Sequence, residues 1–372
     1  VIYGDRRYSW RDSYTRMCRL ASAIDKAGLV IGDTVSVIAA NTPEMFEAHF
    51  GVPMAGCVLN TINTRVETET IAYILENSDC RLLIVDTAFA LTVCPALDAL
   101  PADVRARIRV VDIRDPAMGD LPPIGDEDYE SFIAAGDHDF AWQMPGDEWQ
   151  ALALGYTSGT SGRPKGVVYH HRGAYLNAIG NAITMGVTAQ SRYLWTLPMF
   201  HCNGWSYPWS LTAVAGTHVC LRRVDPALIF PMIAEHGVTH MCGAPIVLNM
   251  LIHAPAEVKR TFDEPVQVFP GGAAPPSDGS RVLRTVYLPN EQVDSLLLTI
   301  ESLRAQLTPL AICMSQKPAC SVTSSKALLH ASVGGGGAAS TSVAQHRPKE
   351  KSAPSQHAAS PSALTVVSQQ RP

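Results

Sequence analysis

The 372 residues contain no CxxC pair and no Cys/His cluster at zinc-binding spacing. The nine cysteines form an odd, scattered set, which speaks against a disulfide framework. They are expected to be reduced thiols, mostly buried, in a reducing compartment such as the cytoplasm or an organelle matrix. No apolar run reaches the roughly 18 residues needed to cross a bilayer. A surplus of positive charge is also lacking. The net charge of −5 argues against general nucleic-acid binding. The first residue is Val1, not methionine, and "VIYGDRRYSW" reads as a hairpin already under way with Gly4-Asp5 at its turn. The expectation is therefore that residues precede Val1, so the missing leader says nothing about targeting. Finally, aromatic residues stop early: all 26 Phe, Trp and Tyr lie at or before Tyr287.

What is present before Pro276 is a regular alternation of strand-like and helix-like segments. "TVSVIAA" (34–40), "RLLIVD" (81–86) and "IRVVDI" (108–113) read as buried strands. A proline-started amphipathic helix is expected from Pro43, with Met45, Phe46, His49 and Phe50 on one side. Another is expected over about 171–183. Further on, "RYLWTLP", "THVCLR", "THMCGAP" and "VQVFPGG" read as strands, and "PALIFPMIAEHG" and "IVLNMLIHA" as helices. Such alternation implies an α/β fold with covered, largely parallel sheets.

After Pro276 this pattern ends. One amphipathic helix is plausible over 291–307, carried by Val293, Leu296, Leu297, Ile300, Leu303 and Leu307. Beyond Ala331 the chain is mostly Ser, Ala, Gly, Pro and Gln, a composition that buries too little apolar area to offset its ordering entropy. Residues 277–372 carry a net +4, leaving −9 for 1–276. The expected organisation is one large domain over 1–276, incomplete at both ends, and an unrelated low-complexity, mostly disordered tail over 277–372. A shifted reading frame or wrong splice junction near Pro276 accounts for the abruptness better than an evolved tail.

One stretch carries chemistry. In "GYTSGTSGRPKG" (155–166), seven of the first eight residues are Gly, Ser or Thr. Gly155, Gly159 and Gly162 permit positive φ, so successive N–H groups can converge on one anion. Thr157, Ser158, Thr160 and Ser161 add hydroxyls, and Lys165 adds a charge for phosphate oxygens. "ALALGY" before it reads as a strand and "HHRGAYLNAI" after it as a helix, a context that grips phosphates at the helix N-terminus. The NTPase P-loop is excluded: Pro164 precedes the lysine, and Gly166 stands where that motif needs Ser or Thr. The dinucleotide GxGxxG is absent. A flexible linker would not need so strict a pattern.

"YTSGTSGRPKGVVYHHRGAYLNA" resembles the signature of the acyl-adenylate-forming (AMP-binding) enzymes. "LWTLPMFHCNGWSYPW" (194–209), "GTHVCLRRVD" and "EHGVTHMCGAPIVLNMLIHAP" are similar to one branch of acyl-CoA synthetases, the short- to medium-chain acid–CoA ligases. "FPGGAAPP" (269–276) resembles that family's adenine- and acyl-binding turn. The resemblance covers residues 1 to about 276. It implies the large N-terminal domain of an adenylate-forming enzyme, layered sheets flanked by helices. It also implies a two-step reaction on a small carboxylic acid, ATP with Mg2+, and coenzyme A. By the resemblance Thr157, Ser158, Gly159, Thr160, Ser161, Gly162 and Lys165 hold the β- and γ-phosphates, with Thr157 the magnesium contact. His201 sits by the acyl pocket and α-phosphate. Gly204 and Trp205 line that pocket, and Gly271, Gly272, Ala273, Ala274 and Pro275 pass along the adenine and acyl carbonyl. An indole at Trp205 would shorten the pocket, in keeping with a short or medium acid.

Each residue also has a structural reading. His201 can be a satisfied core histidine, Trp195, Trp205 and Trp209 ordinary core, Gly271-Gly272 a turn after a strand, and Lys165 a solvated surface lysine. The family further implies an aromatic-Gly-x-Thr-Glu segment, a ribose-binding Asp, and a small C-terminal domain with an adenylation lysine. The 96 residues after Pro276 contain none of these, and the small domain is expected to be absent. Two functions follow as expectations: an AMP-forming acid–CoA ligase impaired in this chain, or a non-catalytic nucleotide-binding or interaction protein that keeps the loop. A simple ATPase is disfavoured by Gly166.

Overall fold

A computed structural model describes residues 1–157, 163–262 and 264–271. The expected helix at 291–307, the tail and the 276/277 boundary lie outside the described residues. The chain opens with the expected hairpin, β1 (Ile2–Tyr3) and β2 (Arg6–Arg7), turned at Gly4 with φ +53°, and continues into α1 (Trp10–Lys26). Ser9 and Asp12 start that helix reciprocally. The Asp12 N–H donates to Ser9 Oγ at 3.1 Å, and the Ser9 N–H donates to Asp12 Oδ2 at 3.0 Å.

Alternation follows: β3 (Thr34–Ile38), α2 (Pro43–Met54), β4 (Val58–Thr61), α3 (Thr68–Asn77), β5 (Cys80–Asp86), α4 (Ala90–Asp98), α5 (Ala102–Ala106), β6 (Arg109–Ile113), β7 (Glu127–Asp128) and α6 (Tyr129–Ala134). Next come β8 (Ala151–Thr157), β9 (Lys165–His170), α7 (His171–Met185) and β10 (Arg192–Leu194). After a turn at 202–206 the chain forms α8 (Tyr207–Ala213), β11 (Thr217–Val219), α9 (Pro226–His236), β12 (His240–Gly243), α10 (Pro245–Ile252) and β13 (Gln267–Pro270).

These strands build two sheets. The first runs β7-β6-β5-β3-β4-β8-β9 and is parallel except for β9, which pairs antiparallel with β8. The second runs β13-β12-β10-β11-β1-β2 and is parallel except at the β1–β2 hairpin. The central strands are buried along their length because helices cover both faces; all residues of β3 and β4 are buried, and the polar ones are held by hydrogen bonds such as that from Asn60 Nδ2 to Ser36 Oγ at 2.9 Å. Several expected strands are shorter than their apolar runs. "RYLWTLP" pairs only over Arg192–Leu194, because Trp195 onward leaves the sheet to build the site described below.

The helix from Pro43 differs from expectation. It is not amphipathic: Pro43 to His49, Gly51 and Val52 are all buried. It lies inside the protein, against α1 on one side and α8 on another. Its carboxylates are neutralised there, Glu44 by Arg6 and Glu47 by the Arg16 Nε at 2.6 Å.

His49 is fully buried on this helix. Its Nδ1–H donates to the Met45 carbonyl at 2.8 Å, and Nε2 has no hydrogen-bond partner among the described residues. Burial pushes its pKa down to about 4. The unfolded chain takes up a proton near the ordinary histidine value, and the folded chain does not. The stabilising contribution is therefore present above that value and lost as pH falls toward 4, amounting to about 2 kcal/mol between pH 7 and 5. Urea unfolding at both pH values checks this. Other buried groups, Glu47 and His218 among them, titrate over the same range, so the contribution is read as a difference: stability should fall by about 2 kcal/mol more in the native chain than in His49→Gln, and an unchanged pH slope in the variant would show that His49 does not carry it.

Candidate active site

The site begins where parallel strands end. In the second sheet β10 lies between β11 and β12, so the chain leaves β10 to one side and later returns on the other. Crevices at the carboxyl ends of strands beside such a reversal are where open α/β sheets hold ligands. The segment leaving β10 is pinned there by polar groups from the other sheet. Asn41, just past β3, donates through Nδ2 to the carbonyls of Trp195 and Leu197 at 2.8 and 2.9 Å, and accepts the Met199 N–H at 2.8 Å. Thr61, ending β4, donates to the Phe200 carbonyl at 2.8 Å. The strand ends of both sheets thus converge on residues 195–200.

His201 follows, and then the backbone does something rare. Cys202, Asn203, Gly204, Trp205 and Ser206 all have φ between +50° and +65°. This is one turn of left-handed helix, which costs roughly 1–2 kcal/mol for each non-glycine residue. Such a turn persists only if its surroundings hold it. Here two asparagines of α7 do so: Asn181 Nδ2 donates to the Trp205 carbonyl at 2.6 Å, and Asn177 Nδ2 to Ser206 Oγ at 2.7 Å. Ser210 closes from the other side, donating to the Ser206 carbonyl at 2.8 Å. Gly204 is buried with its φ at +56°, and a Cβ built there would meet the Trp195 ring at 2.9 Å. That gives Gly204 a packing reason of its own.

Exposure separates the aromatic residues. Trp195 is core: fully buried, with its Nε1 donating to His218 Nδ1 at 3.0 Å. Trp209 is half-buried and donates to the His49 carbonyl. Trp205 is 45% exposed, and His201 is exposed beside it. His201 Nε2 lies 4.0 Å from Cys202 Sγ, and the hydroxyl of Tyr169 on β9 faces the same sulfur. The imidazole draws the thiol pKa down, and the thiol draws the imidazole pKa up. Burial raises that of Tyr169.

Tyr169 connects this turn to the glycine-rich segment. β8 and β9 pair antiparallel from Ala151–His170 to Thr157–Lys165, so Thr157 and Lys165 stand opposite each other at the mouth of the connecting loop. Both are exposed. The base of the hairpin is moored to α3: Tyr156 donates to Asn77 Oδ1 at 2.8 Å, and the Arg163 guanidinium sits 5.2 Å from the Tyr73 ring centre. Ser158, Gly159, Thr160, Ser161 and Gly162 lie outside the described residues.

Two expectations are corrected here. The segment is strand–loop–strand, not strand–loop–helix. α7 does start at His171, but the six residues of β9 intervene, about 20 Å of extended chain, so its N-terminal dipole is not at the loop exit. Gly155, moreover, is strand without positive φ; its missing side chain makes room for the Tyr169 ring, which a Cβ would meet at 3.3 Å.

At the other border Gly271 directly follows β13, its N–H bonded to the Gly243 carbonyl at 2.9 Å, with Leu197 its nearest side chain. It therefore adjoins the segment that carries His201. Gly272, Ala273, Ala274 and Pro275 lie outside the described residues. Sequence reading missed Cys202, Tyr169, Asn41, Asn177 and Asn181. Cys202 was visible inside "HCNGW", but the others belong to elements whose approach no local pattern announces. Among the described residues no group of three or more His, Cys, Asp or Glu gathers to hold a metal. No helix among them is long and apolar enough to cross a membrane.

Comparison with known proteins bears on the family and the fold. The family model described as AMP-binding enzyme matches residues 1–294. An acetate/butyrate–CoA ligase of Arabidopsis thaliana, named as peroxisomal, is 45% identical over 285 residues, covering 74% of this chain and 50% of the relative. A 2-methylpropanoate–CoA ligase of Humulus lupulus is 44% identical over 280 residues, with the same coverage of each. The chain spans about half the length of these curated relatives. Among solved structures, the N-terminal domain of FACL13 from Mycobacterium tuberculosis superposes with a TM-score of 0.65 at 23% identity, over 76% of this chain and 68% of that one. The O-succinylbenzoate coenzyme A synthetase of Bacillus subtilis, solved with AMP, gives 0.60 at 22%, over 77% and 67%. At these identities the structural matches speak for the fold.

Proposed function

The chain belongs to the AMP-binding enzyme family, and on that premise we propose that its site is that of an AMP-forming carboxylic acid–CoA ligase for short or medium acids. The carboxylate attacks the α-phosphate of ATP, giving an acyl-adenylate and pyrophosphate. The thiol of coenzyme A then displaces AMP to form the thioester. One observation carries the reading: a hairpin presents Thr157 and Lys165 side by side at the mouth of the Gly/Ser/Thr loop, and the His201 turn meets the same hairpin through Tyr169.

In this assignment the loop, Ser158 to Gly162, wraps the β- and γ-phosphates with Lys165 as the pairing cation. Thr157 offers one neutral hydroxyl. With no carboxylate cluster among the described residues, a magnesium ion fits as one carried on the nucleotide phosphates, with Thr157 as a single protein contact. The ion supplies charge neutralisation of the phosphates. His201, exposed and drawn toward its protonated form, faces developing negative charge near the α-phosphate. Trp205, held by its left-handed turn, closes the acyl side, which supports a small acid. Gly204 backs that wall through Trp195, and Gly271 to Pro275 run along the adenine.

A second reading rests on a specific sequence fact. No aromatic-Gly-x-Thr-Glu segment follows Pro276 within the 372 residues. Each charged contact that such groups supply in catalysis is worth a few kcal/mol of transition-state stabilisation, a hundredfold or more in rate. The 372 residues on their own are therefore proposed to hold nucleotide but to adenylate slowly. ATP–pyrophosphate exchange with a panel of C2 to C8 acids separates the readings. Acid-dependent exchange, slowed more by Lys165→Ala than acid binding is weakened, supports the ligase. Nucleotide binding with no acid-dependent exchange supports a nucleotide-binding protein.

A further inference from the structure

Among the seven described cysteines, five are buried; Cys94 and Cys202 are half-buried. Only Cys202 of this set has its thiol pKa drawn down; burial raises the others for which a shift is resolved. The cause is geometric. His201 Nε2 is 4.0 Å from the sulfur, the Tyr169 hydroxyl faces it, and the left-handed turn holds the thiol at the half-open side of the site. The next residue, Asn203, is 1% exposed, and neither its amide nitrogen nor its oxygen has a partner among the described residues. A buried amide left open at both ends is costly, so this turn has unmet capacity for a further polar atom.

We propose that Cys202 is a modification site for peroxides, with His201 as the base that takes up its proton. The Cys202 thiolate attacks one oxygen of hydrogen peroxide. The O–O bond breaks, the sulfur becomes a sulfenic acid, and hydroxide leaves. The hydroxide takes the proton from the His201 imidazolium and departs as water. This inference stands on the cluster of Cys202, His201 and Tyr169 and does not require the ligase reading.

The test uses the full 372-residue chain, with Cys94 as an internal reference. Peptide-mapped alkylation by iodoacetamide is followed from pH 5 to 10, and sulfenic acid formed with equimolar hydrogen peroxide is trapped by dimedone. Cys202 is expected to alkylate about tenfold faster than Cys94 at pH 7, to have a lower pH midpoint, and to carry the dimedone adduct. His201→Gln should remove the rate advantage and raise the midpoint. Cys202 reacting no faster than Cys94, no adduct at Cys202, or a profile unmoved by His201→Gln would each overturn the proposal. If His201→Gln fails to fold, the native profile decides: a midpoint at or above about 8.5, the ordinary thiol value, overturns it.

Discussion

Arg222→Ala is expected to destabilise the fold by about 3–5 kcal/mol, the range seen when one partner of a buried ion pair is removed. Arg222 follows β11 in the second sheet, and its partners belong to the first. Nη1 and Nη2 make a two-pronged contact with Asp86, at 2.7 and 3.1 Å, at the end of β5. Nη1 also reaches Asp115 Oδ2 at 2.7 Å, beyond β6, and the Tyr3 hydroxyl donates to that same carboxylate. The side chains of Asp86 and Asp115 are 0% and 2% exposed, so neither can recover hydration if the guanidinium is lost. Both also hold local turns, accepting the N–H groups of Ala88 and Ala117. The variant thus leaves two uncompensated charges at a junction of the sheets. Urea unfolding reads the loss. Arg222→Met combined with Asp86→Asn and Asp115→Asn should regain much of it, because the cost lies in the orphaned charges and not in missing attraction. A loss under 1 kcal/mol in Arg222→Ala would mean that water replaces the arginine.

Gly204→Ala is expected to cost about 2–5 kcal/mol, from two sources that add at one atom. An L-residue at φ +56° costs roughly 1–2 kcal/mol, and forcing a methyl against packed neighbours costs roughly 1–3. The neighbours here are the Trp195 ring at 2.9 Å and Pro208 Cδ at 3.1 Å. Trp195 cannot yield easily, since its indole N–H is committed to His218 and its carbonyl to Asn41. The turn already contains four non-glycine left-handed residues, so it has little tolerance left. Gly180→Ala on α7 is the control: nothing lies within 4 Å of that Cβ, and the substitution should be neutral or slightly stabilising. Equal, small effects at Gly204 and Gly180 would show that the turn is not strained as described.

How much of this was readable from sequence depended on the range of the interaction. Elements spelled by a local pattern were legible: the β3 and β5 runs, the hairpin at Gly4, and the α9 helix started at Pro226 and stopped at Gly237 with φ +56°. So was the site's motif content, because the glycine-rich segment and "HCNGW" are contiguous. The shape of that content was not. β9 looked like loop because its exposed edge lacks a long apolar run: Val167 and Val168 are partly solvent-facing, and pairing with β8 makes the strand. α2 looked amphipathic because Met45, Phe46, His49 and Phe50 share one side, whereas its other side is buried too, with Arg6 and Arg16 coming from distant positions to neutralise Glu44 and Glu47. The left-handed turn had one local hint, the Asn203-Gly204 pair. What holds the turn, Asn177 and Asn181 on α7, is set by tertiary packing.

The central claim is that the hairpin between Thr157 and Lys165 holds the terminal phosphates of ATP. Titration calorimetry of the full chain with ATP and Mg2+, and separately with AMP, tests it most directly. Binding of ATP is predicted, with Lys165→Ala weakening it about tenfold while leaving AMP affinity unchanged, since a lost charge–phosphate contact is worth roughly 1.4 kcal/mol or more. No detectable ATP binding by the folded chain, or equal weakening of ATP and AMP in the variant, would contradict it.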